Sequence, residues 1–224
     1  ETGHQSFESY LRWLESHTGS EWQEFVNCLT TNLTSFFREE HHFHALAEWL
    51  KARGSTPTRI WCCAASTGEE PYSLAMTLDD LTKRMEKKIK ISICATDVSQ
   101  SALAQARLGV YSREELNSIP REYRIKYFQK SHDGQYLVID RLKRMIKFKC
   151  HDLIKQESLG KFHLISCRNL LIFFNPRLQN DIFKKIHGSL SRQGILVQGT
   201  AESPKEEGLF GLLSSQNHIF QKAA

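Results

Sequence analysis

From residue 59 onward the chain alternates short apolar runs with amphipathic stretches, and this alternation constrains the fold more than any other feature. "RIWCCAA" (59–65) and "KISICATD" (90–97) have the length and apolar density of buried strands. Between them, "PYSLAMTLDDLTKRM" (71–85) puts Leu74, Leu78, Leu81 and Met85 on one helical face, with Pro71 in the first turn. "SQSALAQARLG" (99–109) reads as a second helix opened by a serine cap. "MIKFKCHD" (145–152), "FHLISCRNLLIFF" (162–174) and "GILVQGTAE" (194–202) are three further strands, and "PRLQNDIFKKIHGSL" (176–190) is the helix joining the last two. Apolar strands separated by helices require a parallel sheet covered on both faces, an α/β fold. The closing "LFGLLSS" and "NHIFQKAA" read as a terminal strand pair.

Two regions stand outside the alternation. Residues 6–30 hold two helical patterns, Phe7/Tyr10/Leu11/Leu14 and Trp22/Phe25/Val26/Leu29, and a further helix over about 43–53 closes on Gly54. The first four residues, ETGH, fit poorly with the helical pattern after them and are left out of the fold. Residues 111–144 contain two extended runs around an Asp-Gly turn, "KYFQKSHDGQYLVIDRL", which is a hairpin signal and marks a small antiparallel subdomain inserted before the third core strand.

A chain of 224 residues can bury a substantial core. No apolar run is long enough to span a membrane, and no secretory pattern opens the chain, so a cytoplasmic protein is expected. Six cysteines without CxxC pairing fit buried free thiols in a reducing compartment. The net charge of +5 is a mild excess, compatible with an acidic partner and equally with an ordinary basic protein. The run His41, His42 and His44 has no second ligand cluster at suitable spacing, so no metal is expected.

Ligands of open parallel sheets lie beyond the carboxyl ends of the strands. Here those ends read Ser66-Thr67-Gly68-Glu69-Glu70, then Asp97, then Asp152, then Arg168-Asn169. An acid ending the second strand can accept two hydrogen bonds from a ribose diol. The first turn, however, has one glycine and two acids in place of GxGxxG, and acids there repel a pyrophosphate by about a few kcal/mol. The same acids would also stabilise a helix dipole with no ligand bound. Taken together, the four ends favour a ligand with a ribose and positive charge, a description that S-adenosylmethionine meets.

At this level the residues resemble a known family. "TNLTSFFREEHHF", "AASTGEEPYSLA", "ATDVSQSALAQARLGVYS" and "SCRNLLIFFNP" are similar, in order, to motifs of the CheR-type chemotaxis receptor methyltransferases, from about residue 20 to the end. The resemblance implies a class I S-adenosylmethionine-dependent methyltransferase, a Rossmann-like seven-stranded sheet with its last strand antiparallel. It implies residues 5–30 as the remainder of a helical N-terminal domain and 31–224 as the methyltransferase domain. It also implies transfer of methyl to glutamate side chains on chemoreceptor signalling helices. By matching motif, Asn32, Thr34 and Arg38 are expected at the cofactor, with Arg38 near the reacting end. Glu70, rather than Glu69, is the expected cofactor glutamate. Asp97 falls on the ribose acid, Asp152 and Leu153 on the adenine site, and Arg168 and Asn169 beside the methionyl group. The family commonly has "RNxxIYF" where this chain has "RNLLIFF", so Phe173 stands at the position of a tyrosine close to the methyl group.

A glutamate is already ionised at neutral pH, so the transfer needs no general base. That agrees with the lack of a Ser/His/Asp or Cys/His signature. Members of the family can also bind a receptor tail peptide at the inserted subdomain by strand addition. The expected molecule is a monomer without nucleic-acid partners or membrane insertion. Two alternatives stand beside the leading reading. One is a methyltransferase acting on a different protein carboxylate, and the other is a non-catalytic S-adenosylmethionine-binding or scaffold module.

Overall fold

The computed structural model of the chain describes residues 6–16, 19, 34–54, 56, 58–85, 89–204 and 208–223. The chain divides into two units, residues 1–33 and 34–224. In the first, Phe7–Ser16 forms helix α1, as its apolar spacing requires. The second helical pattern, Trp22 to Leu29, lies outside the described residues.

The second unit is built on a seven-stranded sheet. Its strands are β1 (Thr58–Cys63), β2 (Ile91–Asp97), β6 (Ile146–Cys150), β7 (Phe162–Cys167), β8 (Leu190–Val197), β9 (Phe210–Ser214) and β10 (Ile219–Lys222). They run in the order β6-β2-β1-β7-β8-β10-β9. The first five pair in parallel, while β10 is antiparallel to both β8 and β9. The expected strand pair at the end of the chain is therefore present, and the last strand is the antiparallel one.

Period-two alternation explains how this sheet is buried on both sides. In β1, Ile60 and Cys62 join one apolar cluster, while Trp61 and Cys63 join the other. The first face is covered by α2 (His41–Arg53), through Phe43, Leu46 and Leu50, and by α3 (Glu69–Arg84), through Leu74, Leu78 and Leu81. The opposite face is covered by α7 (Pro176–Ser189), through Ile182, Phe183 and Ile186. Helix α4 (Gln100–Leu108) begins at Ser99, whose hydroxyl accepts the Ala102 N–H at 3.1 Å, the serine cap expected from the sequence. Helix α7 begins at Asn175, whose side chain accepts the Leu178 N–H, with Pro176 as its first residue. Among the described cysteines, Cys62, Cys63 and Cys167 are buried, Cys94 is half-buried and Cys150 is exposed, all as free thiols.

The insertion is a three-stranded antiparallel sheet in the order β3-β5-β4: β3 (Val110–Tyr111), β5 (Tyr136–Val138) and β4 (Phe128–Lys130). The Asp-Gly hairpin joins β4 to β5, and β3 adds a third strand that the hairpin pattern did not show. Two short helices, α5 (Arg121–Tyr127) and α6 (Asp140–Lys143), attach the insertion to α3. Asp79 on α3 accepts from Tyr127 Oη at 2.9 Å and from Arg141 at 2.8 Å, and Asp80 pairs with Lys126 and with Arg84.

The fourth core strand differs from the sequence expectation. A strand continuing from Phe162 to Phe174 was expected, but β7 ends at Cys167. The chain then turns at Asn169, with φ of 56°, into a single 3₁₀ turn over Leu171–Phe173. The apolar run is real, but its backbone donors have a carboxylate partner, Glu202, that lies far away in sequence.

Candidate active site

The strand order reverses between β1 and β7, which makes the crevice beyond these two strands the topological switch point. Registers place the ends level: Cys63 pairs with Thr96 on one side and Cys167 on the other, and Asp97 pairs with Cys150. The loops after β1, β2, β6 and β7 therefore leave the sheet side by side.

The loop after β1 is a tight coil. Ala64, Ser66 and Gly68 all have left-handed φ values of 54°, 47° and 104°. At Gly68 a side chain is excluded twice over. Its φ is unfavourable, and a Cβ would sit 2.8 Å from Tyr111 Oη and 3.0 Å from Ala106 Cβ. The Tyr111 hydroxyl donates to the Thr67 carbonyl at 2.8 Å, so the first strand of the insertion clamps this loop. Asp97 clamps it from the other side. One carboxylate oxygen accepts the Ser66 N–H at 2.8 Å, and the other accepts the Ser99 N–H at 2.9 Å. An ionised carboxylate has about four acceptor positions. Two remain on Asp97, one per oxygen, as a vicinal diol requires.

The two acids that follow Gly68 part ways. Glu69 is buried, and its two carboxylate oxygens share the single proton of the Thr67 hydroxyl at 2.9 and 2.8 Å, while burial raises its pKa. Glu70 instead faces β7. It accepts from Ser166 Oγ at 2.6 Å and from Cys62 Sγ at 3.4 Å through one oxygen, and from Arg168 at 3.2 Å through the other. Arg168 also reaches Glu39 at 2.9 Å and donates to the Arg38 carbonyl, while its guanidinium lies over the Phe43 ring at 5.6 Å. The result is an acid–guanidinium–acid array, Glu39–Arg168–Glu70. Its Arg side chain is only 2% exposed and it carries one net negative charge.

The segment that delivers Arg38 and Glu39 is anchored by its phenylalanines. Phe36 is buried edge-on against Tyr111 at 4.8 Å and Phe128 at 5.8 Å. The Phe37 N–H donates to Ser73 on α3 at 3.0 Å. Phe37 and Glu39 both have positive φ, of 54° and 56°, so the backbone kinks on either side of Arg38. Glu39 also accepts from the Thr200 N–H at 3.0 Å and hydroxyl at 2.6 Å. Burial alone would raise its pKa, but hydrogen bonds from Thr200 and Arg168 outweigh this and hold it at about 2. Next to this array His42 is buried; among the described residues neither ring nitrogen has a hydrogen-bond partner, and the Glu39 carboxylate lies 3.7 Å from Nδ1. Burial first, then the nearby Arg168 and His41, drive its pKa down to about 3, so the ring is neutral. His44, by contrast, is exposed. Among the described residues no group of three or more His, Cys, Asp or Glu side chains is arranged to hold a metal.

The structure brings some of the sequence-derived site residues together and leaves others apart. Glu70, Arg168 and the Arg38 carbonyl meet directly, and Asp97 is joined to the same β1 loop. Asp152 caps its own turn, accepting the Ile154 and Lys155 N–H groups at 2.8 and 3.0 Å. Leu153 is buried with Trp61 and Phe162, and its carbonyl accepts from Lys185. Thr34 is half-buried at the start of the Phe36 segment, and Asn32 lies outside the described residues. The Asn169 N–H points to Glu202 at 2.7 Å. Phe173 is 65% exposed on its 3₁₀ turn, beside Ile172 at 48%. Two acids were missed by the sequence reading, Glu39 and Glu202. Glu39 sits inside the quoted "FFREE" motif, where its adjacency to Arg38 was the available signal. Glu202 ends "GTAE", and nothing local marks its partners.

The model of the "CheR methyltransferase, SAM binding domain" family matches residues 32–219. The chain belongs to the CheR methyltransferase family. A chemotaxis protein methyltransferase of Escherichia coli is 41% identical over 204 residues, spanning 88% of this chain and 70% of that protein. One of Salmonella typhimurium is 39% identical, spanning 90% and 71%. One of Borreliella burgdorferi is 33% identical, spanning 90% and 75%. Among solved structures, a magnesium protoporphyrin IX methyltransferase with bound SAH, from Synechocystis, aligns with 15% identity and a TM-score of 0.42, over 76% of this chain and 58% of that one. As a CheR methyltransferase the chain is an enzyme of S-adenosylmethionine. The cleft chemistry fits that cofactor: Asp97 keeps two acceptor positions, and in the Glu39–Arg168–Glu70 array the acids outnumber the guanidinium. Among the described residues no helix is long and apolar enough to cross a membrane.

Proposed function

We propose that the protein transfers methyl from S-adenosylmethionine to glutamate side chains of chemoreceptor signalling helices, giving glutamate methyl esters. The observation that carries this reading is the alignment, over nearly nine-tenths of the chain, with proteins named chemotaxis protein methyltransferase. The cofactor supplies a methyl group already activated by a positive sulfur. The chain's own residues then have to bind, align and exclude water, because a glutamate is ionised well below neutral pH and needs no base. In this assignment Asp97 receives the ribose, and Asp152 and Leu153 border the adenine. Glu70, Arg168 and Asn169 form the methionyl side. Asn32, Thr34 and Arg38 complete the cofactor site, and Arg38 orients the incoming carboxylate. Phe173 presents a ring at the lip of the cleft, where an aromatic face favours a cation without a hydroxyl to position it.

The partner surfaces follow from the same reading. The receptor helices approach the lip that carries Ile172 and Phe173. The edge strand Phe128–Lys130 of the insertion is the seat offered to a receptor tail peptide by strand addition. The enzyme acts as a monomer in the cytoplasm. The test is incubation with methyl-labelled cofactor and receptor signalling fragments. Base-labile label on glutamate is the expected result. Tight binding of S-adenosylhomocysteine with no transfer, restored by Phe173→Tyr, would instead identify a cofactor-binding module.

A further inference from the structure

We infer that Glu202 is a positioning residue of the transfer site, the template that shapes the loop carrying Arg168, Asn169 and Phe173. The inference rests on the reading that this loop borders the reacting end of the cofactor. Glu202 lies beyond β8 and is 5% exposed, yet it forms no ion pair among the described residues. Its carboxylate is filled instead by main chain. One oxygen accepts the N–H groups of Leu170 at 2.8 Å and Leu171 at 2.6 Å, and the other accepts those of Asn169 at 2.7 Å and Gly199 at 3.0 Å. These four bonds use about all the acceptor positions that a carboxylate has. Glu202 therefore has no capacity left for cofactor or substrate, and acts through the loop.

The geometry of that loop follows from the convergence. In a strand, successive N–H groups point to opposite sides, so three consecutive donors cannot meet one group. Here the donors of Asn169, Leu170 and Leu171 do meet one carboxylate, because Asn169 takes φ of 56° and a 3₁₀ turn follows. Bonds to an ionised acceptor are about twice as strong as neutral ones, enough to end a strand that apolar patterning would continue. Gly199 makes the approach possible. A Cβ there would lie 2.7 Å from Asn169 Nδ2 and 2.9 Å from Glu202 Oε2. The curl leaves Arg168 directed at Glu70 and Glu39 and Phe173 exposed.

The test compares two ligands by calorimetry on the full chain and on Glu202→Gln, which keeps the shape but turns an NH₂ group toward two of the N–H donors. S-adenosylhomocysteine carries the amino-acid end that the loop faces, whereas 5′-methylthioadenosine has the same adenosine and thioether without it. The expected result is S-adenosylhomocysteine weakened by about tenfold or more, the weight of one hydrogen bond to a charged group, with 5′-methylthioadenosine unchanged. Equal weakening of both ligands, or of neither, overturns the inference, since a merely structural carboxylate has no reason to separate them. Should Glu202→Gln fail to fold, amide exchange in the wild-type chain decides. Protection of the Asn169, Leu170 and Leu171 N–H groups is expected, and exchange at the rate of an open loop overturns the inference. A chain that binds both ligands yet methylates no receptor fragment overturns the proposed receptor methylation and leaves this ligand comparison standing.

Discussion

Two loops meet at the switch point, and they are held by opposite means. The loop after β1, residues 64–68, is shaped mainly by sterics: three left-handed residues and a glycine with no room for a side chain, held by clamps from Tyr111 and Asp97. The loop after β7, residues 168–173, is shaped by charge from a distance. Glu202 gathers its N–H groups, and Glu39 and Glu70 hold its arginine. A loop of the first kind is governed mainly by sterics, with one carboxylate clamp, Asp97. A loop of the second kind depends on every carboxylate in it staying charged and partnered.

The largest effect is expected where a buried charge is removed. Arg168→Met leaves Glu39 and Glu70 facing each other without a cation, at a cost of about 3–5 kcal/mol in unfolding free energy. Urea denaturation checks this, and a loss no larger than that of a single hydrogen bond would break the contrast between the loops. Gly68→Ala tests the other loop. Its strained backbone costs about 1–3 kcal/mol. The displaced coil is expected to weaken S-adenosylhomocysteine in calorimetry without altering the pH dependence of stability.

The second loop should also respond to acid. The unfolded chain protonates His42 near pH 6.5, but the folded chain does so only near pH 3. Between these values the unfolded state binds more protons, so stability is complete above pH 6.5 and falls as pH drops, by about 1.4 kcal/mol per unit for one such group. Glu39 adds to the loss only below its unfolded value of 4.5, down to about 2. Thermal melts between pH 6.5 and 5 should therefore show a shallower slope in His42→Leu than in the wild type, and parallel slopes would remove His42 from the account. The smallest effect is expected from Tyr111→Phe, which deletes the bond to the Thr67 carbonyl at a cost of about 1 kcal/mol. Equilibrium unfolding measures it, and a cost matching that of Arg168→Met would erase the distinction between the loops.

The sequence by itself determined the layers and the acid that ends β2. Alternating apolar strands and helices, the Ser99 cap, the Asp-Gly hairpin and the acid ending β2 are all local patterns, and each forms where it was expected. The roles of Glu70, Arg168 and Arg38 were named only through the resemblance of their motifs to a family, and the pairing of Glu70 with Arg168 and the kinks on either side of Arg38 came from the tertiary structure. Tertiary structure alone decided where β7 stops. The run "CRNLLIFF" has the apolarity of a strand, and although asparagine tolerates the left-handed turn at Asn169, no residue within the run supplies the acceptor for its N–H groups. The partner that does so is a carboxylate 33 residues later, brought close by the parallel pairing of β7 with β8. Hydrophobic periodicity records which side of an element is buried, but not which buried polar group will claim its backbone.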